Sequence, residues 1–202
     1  MAIQLTFSNI LQLFSAISPL LLGFFLVMSS LFNQDIKGLV YLGGVLLASV
    51  INIFLMNMIA SKKSPNAAMS CDLISLPILT QYNSPAPSSL FIAFTIAYLI
   101  LPMKYNNQMN YVVLASLLCL YGLDTVTKIQ NDCTTFPGSL FGGLVGLIFG
   151  AIWFSLFHHS GYDSLLYFDE LMSNKVTCSR PSKQTFKCSV YKNGQLISSN
   201  IA

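Results

Sequence analysis

The chain has two histidines, and they are adjacent: His158 and His159. An imidazole can move a proton, accept a phosphoryl group or ligate a metal. A metal centre needs convergent ligands, and none lie near this pair in the sequence; no metal or cofactor is expected. Asp124 and Asp132 flank an apolar stretch, where water can solvate them, and are read as boundary residues. Asn52 and Asn57 lie inside another apolar stretch. An amide in hydrocarbon is costly unless bonded, so both are read as links between helices. The five cysteines are too few for a disulfide scaffold and lack zinc-site spacing. Cys178 and Cys188, in the polar C-terminal tail, either pair with each other or stay as free thiols.

The elements carrying these residues follow from composition. Of 202 residues, 54% are hydrophobic and 8% charged. An average soluble domain is about 25% charged. Residues 1–158 hold only nine charged side chains, and residues 159–202 hold eight. The first segment cannot cover a water-soluble globule, and it is far too apolar for disorder. An integral membrane protein with a polar tail remains. The net charge of +3 comes with no dense basic patch, which excludes nucleic acid as a partner. The N-terminus lacks a basic leader and a small-residue cleavage site, and reads as a retained span.

Stretches of about 20 apolar residues place five transmembrane helices near residues 10–31, 38–60, 89–103, 109–123 and 138–157. Pro19 is expected to kink the first. The third and fourth are short. The loop 61–88 contains an apolar patch at 73–79, too short to span and expected at the interface. Pro77 and the run Ser84-Pro85-Ala86-Pro87 bar a continuous helix there. The spans carry no buried acid or base of the kind a proton pump uses. The fifth contains Gly142, Gly146 and Gly150, four apart and therefore on one helix face. That stripe lets a backbone approach closely, either another helix of this chain or a second copy.

The resulting fold class is an all-α membrane helix bundle over 1–159, followed by an extramembrane tail over 160–202. The tail has strand composition at 176–178, 185–191 and 195–198, with Asn193-Gly194 as a hairpin turn. A two-residue turn pairs Lys192 with Gln195, Tyr191 with Leu196 and Val190 with Ile197. Five spans put the two termini on opposite sides. Lys62, Lys63 and Lys128 share one side; the other holds Lys37, Lys104 and the five basic residues of the tail. The positive-inside rule then points to a cytoplasmic tail.

The order of elements resembles the type 2 phosphatidic acid phosphatases, in particular the dolichyl-diphosphatase-like members. Those bundles hydrolyse lipid phosphates through three motifs, K-x6-R-P, P-S-G-H and S-R-x5-H-x3-D. Here Asn57 is followed after six residues by Ser64-Pro65, so the proline stays and the charges go. Pro87-Ser88-Ser89-Leu90 stands at the second motif, with leucine in place of histidine. Thr135-Phe136-Pro137-Gly138-Ser139 stands at the third, with Lys128 near the S-R position. The resemblance implies that Thr135 replaces the nucleophile, Ser139 the orienting acid and Leu90 the general acid. His158 and His159 lie across the fifth span and cannot substitute. A fold kept without its catalytic groups implies a pseudoenzyme, not an enzyme. More loosely, the bundle and its tail resemble small membrane proteins of large double-stranded DNA viruses, which lie beneath the capsid. Viral thiol oxidases would permit a Cys178–Cys188 bridge there.

The function expected is a non-catalytic multi-pass structural protein linking a bilayer to a protein layer, such as a virion inner-membrane or minor capsid-associated protein. The tail would supply the contact. The alternatives are a lipid-phosphate phosphatase with a rearranged site using Lys62, Lys63, Lys128 and Ser88, or an accessory subunit of a membrane complex.

Overall fold

A computed structural model of the chain describes residues 6–65, 67–68, 71, 82–168, 187–192 and 195–201. Five helices account for most of them: α1 (Phe7–Phe32), α2 (Lys37–Ile59), α3 (Pro87–Tyr105), α4 (Tyr111–Gln130) and α5 (Phe136–His159). All five are long and apolar enough to cross a membrane. Their surfaces are inverted relative to a soluble protein. Phe25, Phe54 and Val112 are more than two-thirds exposed, while Ser15, Ser18, Asn52, Thr95 and Ser139 are buried. Lipid is the solvent that suits this arrangement.

Local chemistry explains the helix limits. Thr6, Asn110 and Thr135 precede α1, α4 and α5, and each side chain accepts from a backbone N–H of the first turn. Pro87 opens α3, where its missing N–H costs nothing. Pro19 lies inside α1 and cannot bond the Ser15 carbonyl. The Ser18 hydroxyl donates to that carbonyl instead, at 3.1 Å, which satisfies the freed group within the helix.

Two limits differ from expectation. α3 begins two residues before residue 89 and ends two after 103. α4 runs through residue 130 rather than stopping at 123. Asp124 and Lys128 sit four apart on its last turns and pair at 3.0 Å, so the polar run extends the helix instead of ending it.

α3 is the central helix. Of its apolar window 67% is buried, against 11% for α4. α5 lies along α3 through its glycines. A Cβ built on Gly142 would come within 2.6 Å of the Ala86 carbonyl oxygen, and one on Gly150 within 2.6 Å of that of Phe94. A Cβ on Gly146 would overlap the Leu90 carbonyl oxygen. The stripe therefore meets the α3 backbone of the same chain. α2 joins this pair through Tyr41, whose hydroxyl meets that of Thr95 at 2.7 Å, and through the Trp153 indole, which donates to the Val40 carbonyl at 3.1 Å.

The connections alternate between the two ends. At one end lie the α1–α2 and α3–α4 turns and the segment after α5. That segment, 160–168, packs back on the bundle. Leu166 is 1% exposed, and the Tyr167 hydroxyl donates to the Leu26 carbonyl at 2.7 Å. The Asn106 amide donates to the Phe168 carbonyl at 2.6 Å. The packed region thus runs on past residue 159.

Burial, followed by the nearby Asp35 charge, pushes the Tyr167 phenol up to about 12. The neutral phenol is favoured in the folded state, so its contribution is complete below the ordinary tyrosine value near 10 and fades as pH rises through about 12. Alkaline absorbance titration of Tyr167→Phe should lose a late-titrating tyrosine. An unchanged curve would contradict the packing.

At the other end the lead-in to α3 and the α4–α5 turn interlock. The Asn83 N–H donates to the Ser61 carbonyl at 3.0 Å, and the Thr134 hydroxyl to the Asn83 carbonyl at 2.7 Å. The Ala68 N–H donates to the Asn131 carbonyl at 3.1 Å. A disulfide, Cys71–Cys133, joins the same two connections. The two cysteines are 62 residues apart, with no spacing rule to connect them. The apolar patch 73–79 lies outside the described residues, as do Cys178 and the strand expected at 176–178.

The remaining described residues form a separate unit of two antiparallel strands, β1 (Lys187–Lys192) and β2 (Gln195–Ile201). Lys192 pairs with Gln195 and Tyr191 with Leu196, but Val190 pairs with Ser198 instead of Ile197. The register breaks between Val190 and Tyr191. One extra residue on β2 is a bulge, which the simple two-residue-turn count does not include.

Candidate functional site

The end of the bundle that carries the disulfide also gathers the polar residues of the resembled motifs. α3 presents Ser88 and Ser89 on its first turn, directly after Pro87. α4 presents Asp124, Thr125 and Lys128, α5 presents Ser139, and α1 contributes Ser15. They form two hydrogen-bonded groups.

The first is centred on Asp124, which is 1% exposed. Its Oδ1 accepts from the Ser15 hydroxyl at 3.0 Å and pairs with Lys128 Nζ at 3.0 Å. Its Oδ2 accepts from the Ser88 hydroxyl at 2.7 Å. One carboxylate therefore holds α1 and α3 against α4. Lys128 keeps 21% of its side chain exposed, so the ammonium reaches toward the boundary while its partner is enclosed.

The second group is a chain of hydroxyls. Ser139 Oγ lies 2.7 Å from Ser89 Oγ and 2.9 Å from Thr125 Oγ1. The Tyr121 hydroxyl donates to the Ser139 carbonyl at 3.2 Å. The Ser89, Thr125 and Ser139 hydroxyls satisfy one another and Tyr121 satisfies a backbone carbonyl, which is what a low-dielectric interior requires of polar groups.

The other motif positions are elsewhere. Asn57 is exposed on α2 and donates to the Ile53 carbonyl of its own helix at 3.0 Å, so it does not link helices. Asn52 reaches out of its helix, donating to the Pro85 carbonyl in the lead-in to α3 at 3.4 Å. Ser64 and Pro65 lie in the connection after α2. Leu90 is buried against α5, and Thr135 caps α5 by accepting from the Gly138 N–H at 3.2 Å. Gly142, Gly146 and Gly150 line the α3–α5 contact.

His158 and His159 end α5 at the far side of the bundle. The 19 residues from Ser139 to His158 rise roughly 28 Å along the helix. His158 Nδ1 meets Asp163 Oδ1 at 2.7 Å, and its ring stacks on Phe154. Among the described residues no three His, Cys, Asp or Glu side chains converge to hold a metal.

No family model, curated protein or solved structure matches this chain. Its chemistry has to be read from the geometry. The Asp124 carboxylate has both oxygens engaged by groups of its own chain, and the Lys128 charge is spent on it. The Ser88 hydroxyl donates its hydrogen bond to Asp124 directly, with no imidazole between them of the kind that activates a serine nucleophile. The arrangement suits holding helices together.

Sequence reasoning missed Asp124 as a member of this group, and with it Ser15, Thr125 and Tyr121. Asp124 is not a boundary residue, and the spans are not free of buried acids: it is enclosed within α4. The i,i+4 spacing of Asp124 and Lys128 was the available signal, since it marks a helix that continues past the acid.

Proposed function

We propose that this chain is a non-catalytic multi-pass membrane protein that anchors a polar tail and links the bilayer to a protein layer. The observation that carries the reading is the saturation of Asp124 by Ser15, Ser88 and Lys128. The groups that would have to bind and cleave a lipid phosphate are turned on one another. The sequence likeness to lipid phosphatases supports the same view, because the matches keep prolines, glycines and helix starts while the reactive side chains differ. The looser likeness to membrane proteins of large DNA viruses favours the internal membrane of a virus particle as the location, with capsid-side protein as the layer. Five of the ten basic residues lie in the tail, which makes it the natural contact surface.

The test is a truncation that spares the bundle. Residues 160–168 pack against it, so the deletion should remove 169–202 only. The truncated protein is expected to stay in the membrane and to lose co-purification with the surrounding assembly. Full retention of the partner would overturn the linking role.

The phosphatase reading keeps one supporting observation, the juxtaposition of Ser88, Asp124 and Lys128. It predicts phosphate release from lysophosphatidate or a polyprenyl diphosphate by the purified protein, abolished by Ser88→Ala. The anchor reading predicts none.

A further inference from the structure

The Cys71–Cys133 disulfide carries information about which face of the membrane each end of the bundle occupies. It joins the connection between α2 and α3 to the turn between α4 and α5. Both connections lie at one end, as the bonds from Asn83 to Ser61, from Ala68 to Asn131 and from Thr134 to Asn83 require. The segment after α5 lies at the opposite end, where Tyr167 bonds Leu26 and Asn106 bonds Phe168. Disulfides form and persist in oxidising compartments and are rare where glutathione and thioredoxin keep thiols reduced.

A second observation is independent of cysteine chemistry. The disulfide end carries Lys62, Lys63 and Lys128, three of the ten basic residues. The opposite end carries Lys37 and Lys104, and the five basic residues of the tail follow α5. Basic residues accumulate on the cytoplasmic side of membrane proteins. The tail contains no apolar stretch long enough to return across the bilayer. Redox chemistry and charge bias therefore select the same orientation.

We infer that Cys71–Cys133 is a permanent staple on the oxidising face of the membrane, and that the tail lies on the reducing, cytoplasmic face. The staple ties the two connections that cap the Ser88–Asp124–Lys128 group, so that group faces the oxidising side. Whatever the tail contacts is met in the reducing compartment. The inference rests on the redox state of the compartments on either side of the membrane and not on a viral thiol oxidase, and it is independent of whether the tail links to a protein layer.

The experiment uses the full chain in sealed vesicles derived from endoplasmic reticulum, whose outer face is cytosolic. Cys119, Cys178 and Cys188 are replaced by serine, and an epitope is appended after Ala202. Denatured samples are treated with a maleimide polymer before and after reduction. The expected result is no gel shift before reduction and a double shift after it. Protease added to intact vesicles is expected to remove the epitope. Thiols that react without reductant would overturn the staple. An epitope protected until detergent is added would overturn the orientation, even with the pair bridged.

Discussion

Replacing Gly146 with leucine is expected to break the bundle at its centre. A Cβ at this position already overlaps the Leu90 carbonyl oxygen and lies 3.0 Å from Leu90 Cα. These are backbone atoms of the most buried helix, so no side chain can rotate away to make room. Overpacking a well-filled interior typically costs about 1–3 kcal/mol, and a clash with rigid backbone belongs at the top of that range. At about 2–4 °C per kcal/mol for a chain of this size, the melting temperature in detergent should fall by roughly 6–12 °C. Gly122→Ala is the matching control, because nothing lies within 4 Å of its added methyl. That variant should melt at the parent's temperature or up to about 4 °C above it, because alanine is the better helix former. The pair also separates the two uses of a small-residue stripe. Were the stripe a contact for a second copy, Gly146→Leu would abolish an oligomer and leave the melting of the monomer unchanged. Thermal unfolding and size-exclusion of the same samples distinguish these outcomes.

How much of this was legible in the sequence depends on the range of the interaction. The five helices follow from where charges are missing, a property that each segment displays by itself. The glycine face of α5 was equally visible, since a spacing of four is a local fact. Its occupant was not, because α3 and a second copy satisfy that face equally well on paper. Asp124 was misread for a related reason. A hydropathy window ends at the first carboxylate, so the residue marks a boundary unless partners can be found. Its partners are Ser15 and Ser88, which lie 109 and 36 residues away in the chain. Only Lys128, four residues on, was within reach of a pattern. Cys71 and Cys133 are separated by 62 residues with no spacing rule to connect them. The pairing of cysteines cannot be deduced from their positions alone. Asn57 shows the reverse error. Its amide turned out to be satisfied within its own helix, an option that the sequence left equally open.

Replacing Asp124 with alanine should cost more than removing Asp124 and Lys128 together. The single change leaves an ammonium without its counter-ion and two hydroxyls, Ser15 and Ser88, without their acceptor. Breaking one side of a buried pair typically costs about 3–5 kcal/mol, because the remaining charge stays uncompensated. Lys128 is 21% exposed and can turn toward the boundary, which relieves part of that penalty. The expected loss is therefore about 2–3 kcal/mol, below the range for a fully enclosed partner. In Asp124→Ala/Lys128→Met the stranded charge is gone and an apolar chain of similar length fills the space. About 1–2 kcal/mol should return, giving a double-mutant coupling that two independent sites would not show. Ser15→Ala alone should cost about 1 kcal/mol, the usual worth of one hydrogen bond, somewhat more because the acceptor is charged. Hydrogen exchange locates the effect. Asp124 ties α4 to α1 at this end, beside the bond from the Gln12 amide to Asn131 at 2.6 Å, so faster exchange should appear in the first half of α1 before it appears in α3. Equal losses for the single and double variants would mean that the Lys128 charge left behind by Asp124→Ala costs nothing, and would overturn the expected order; the Lys128→Met single variant completes the cycle.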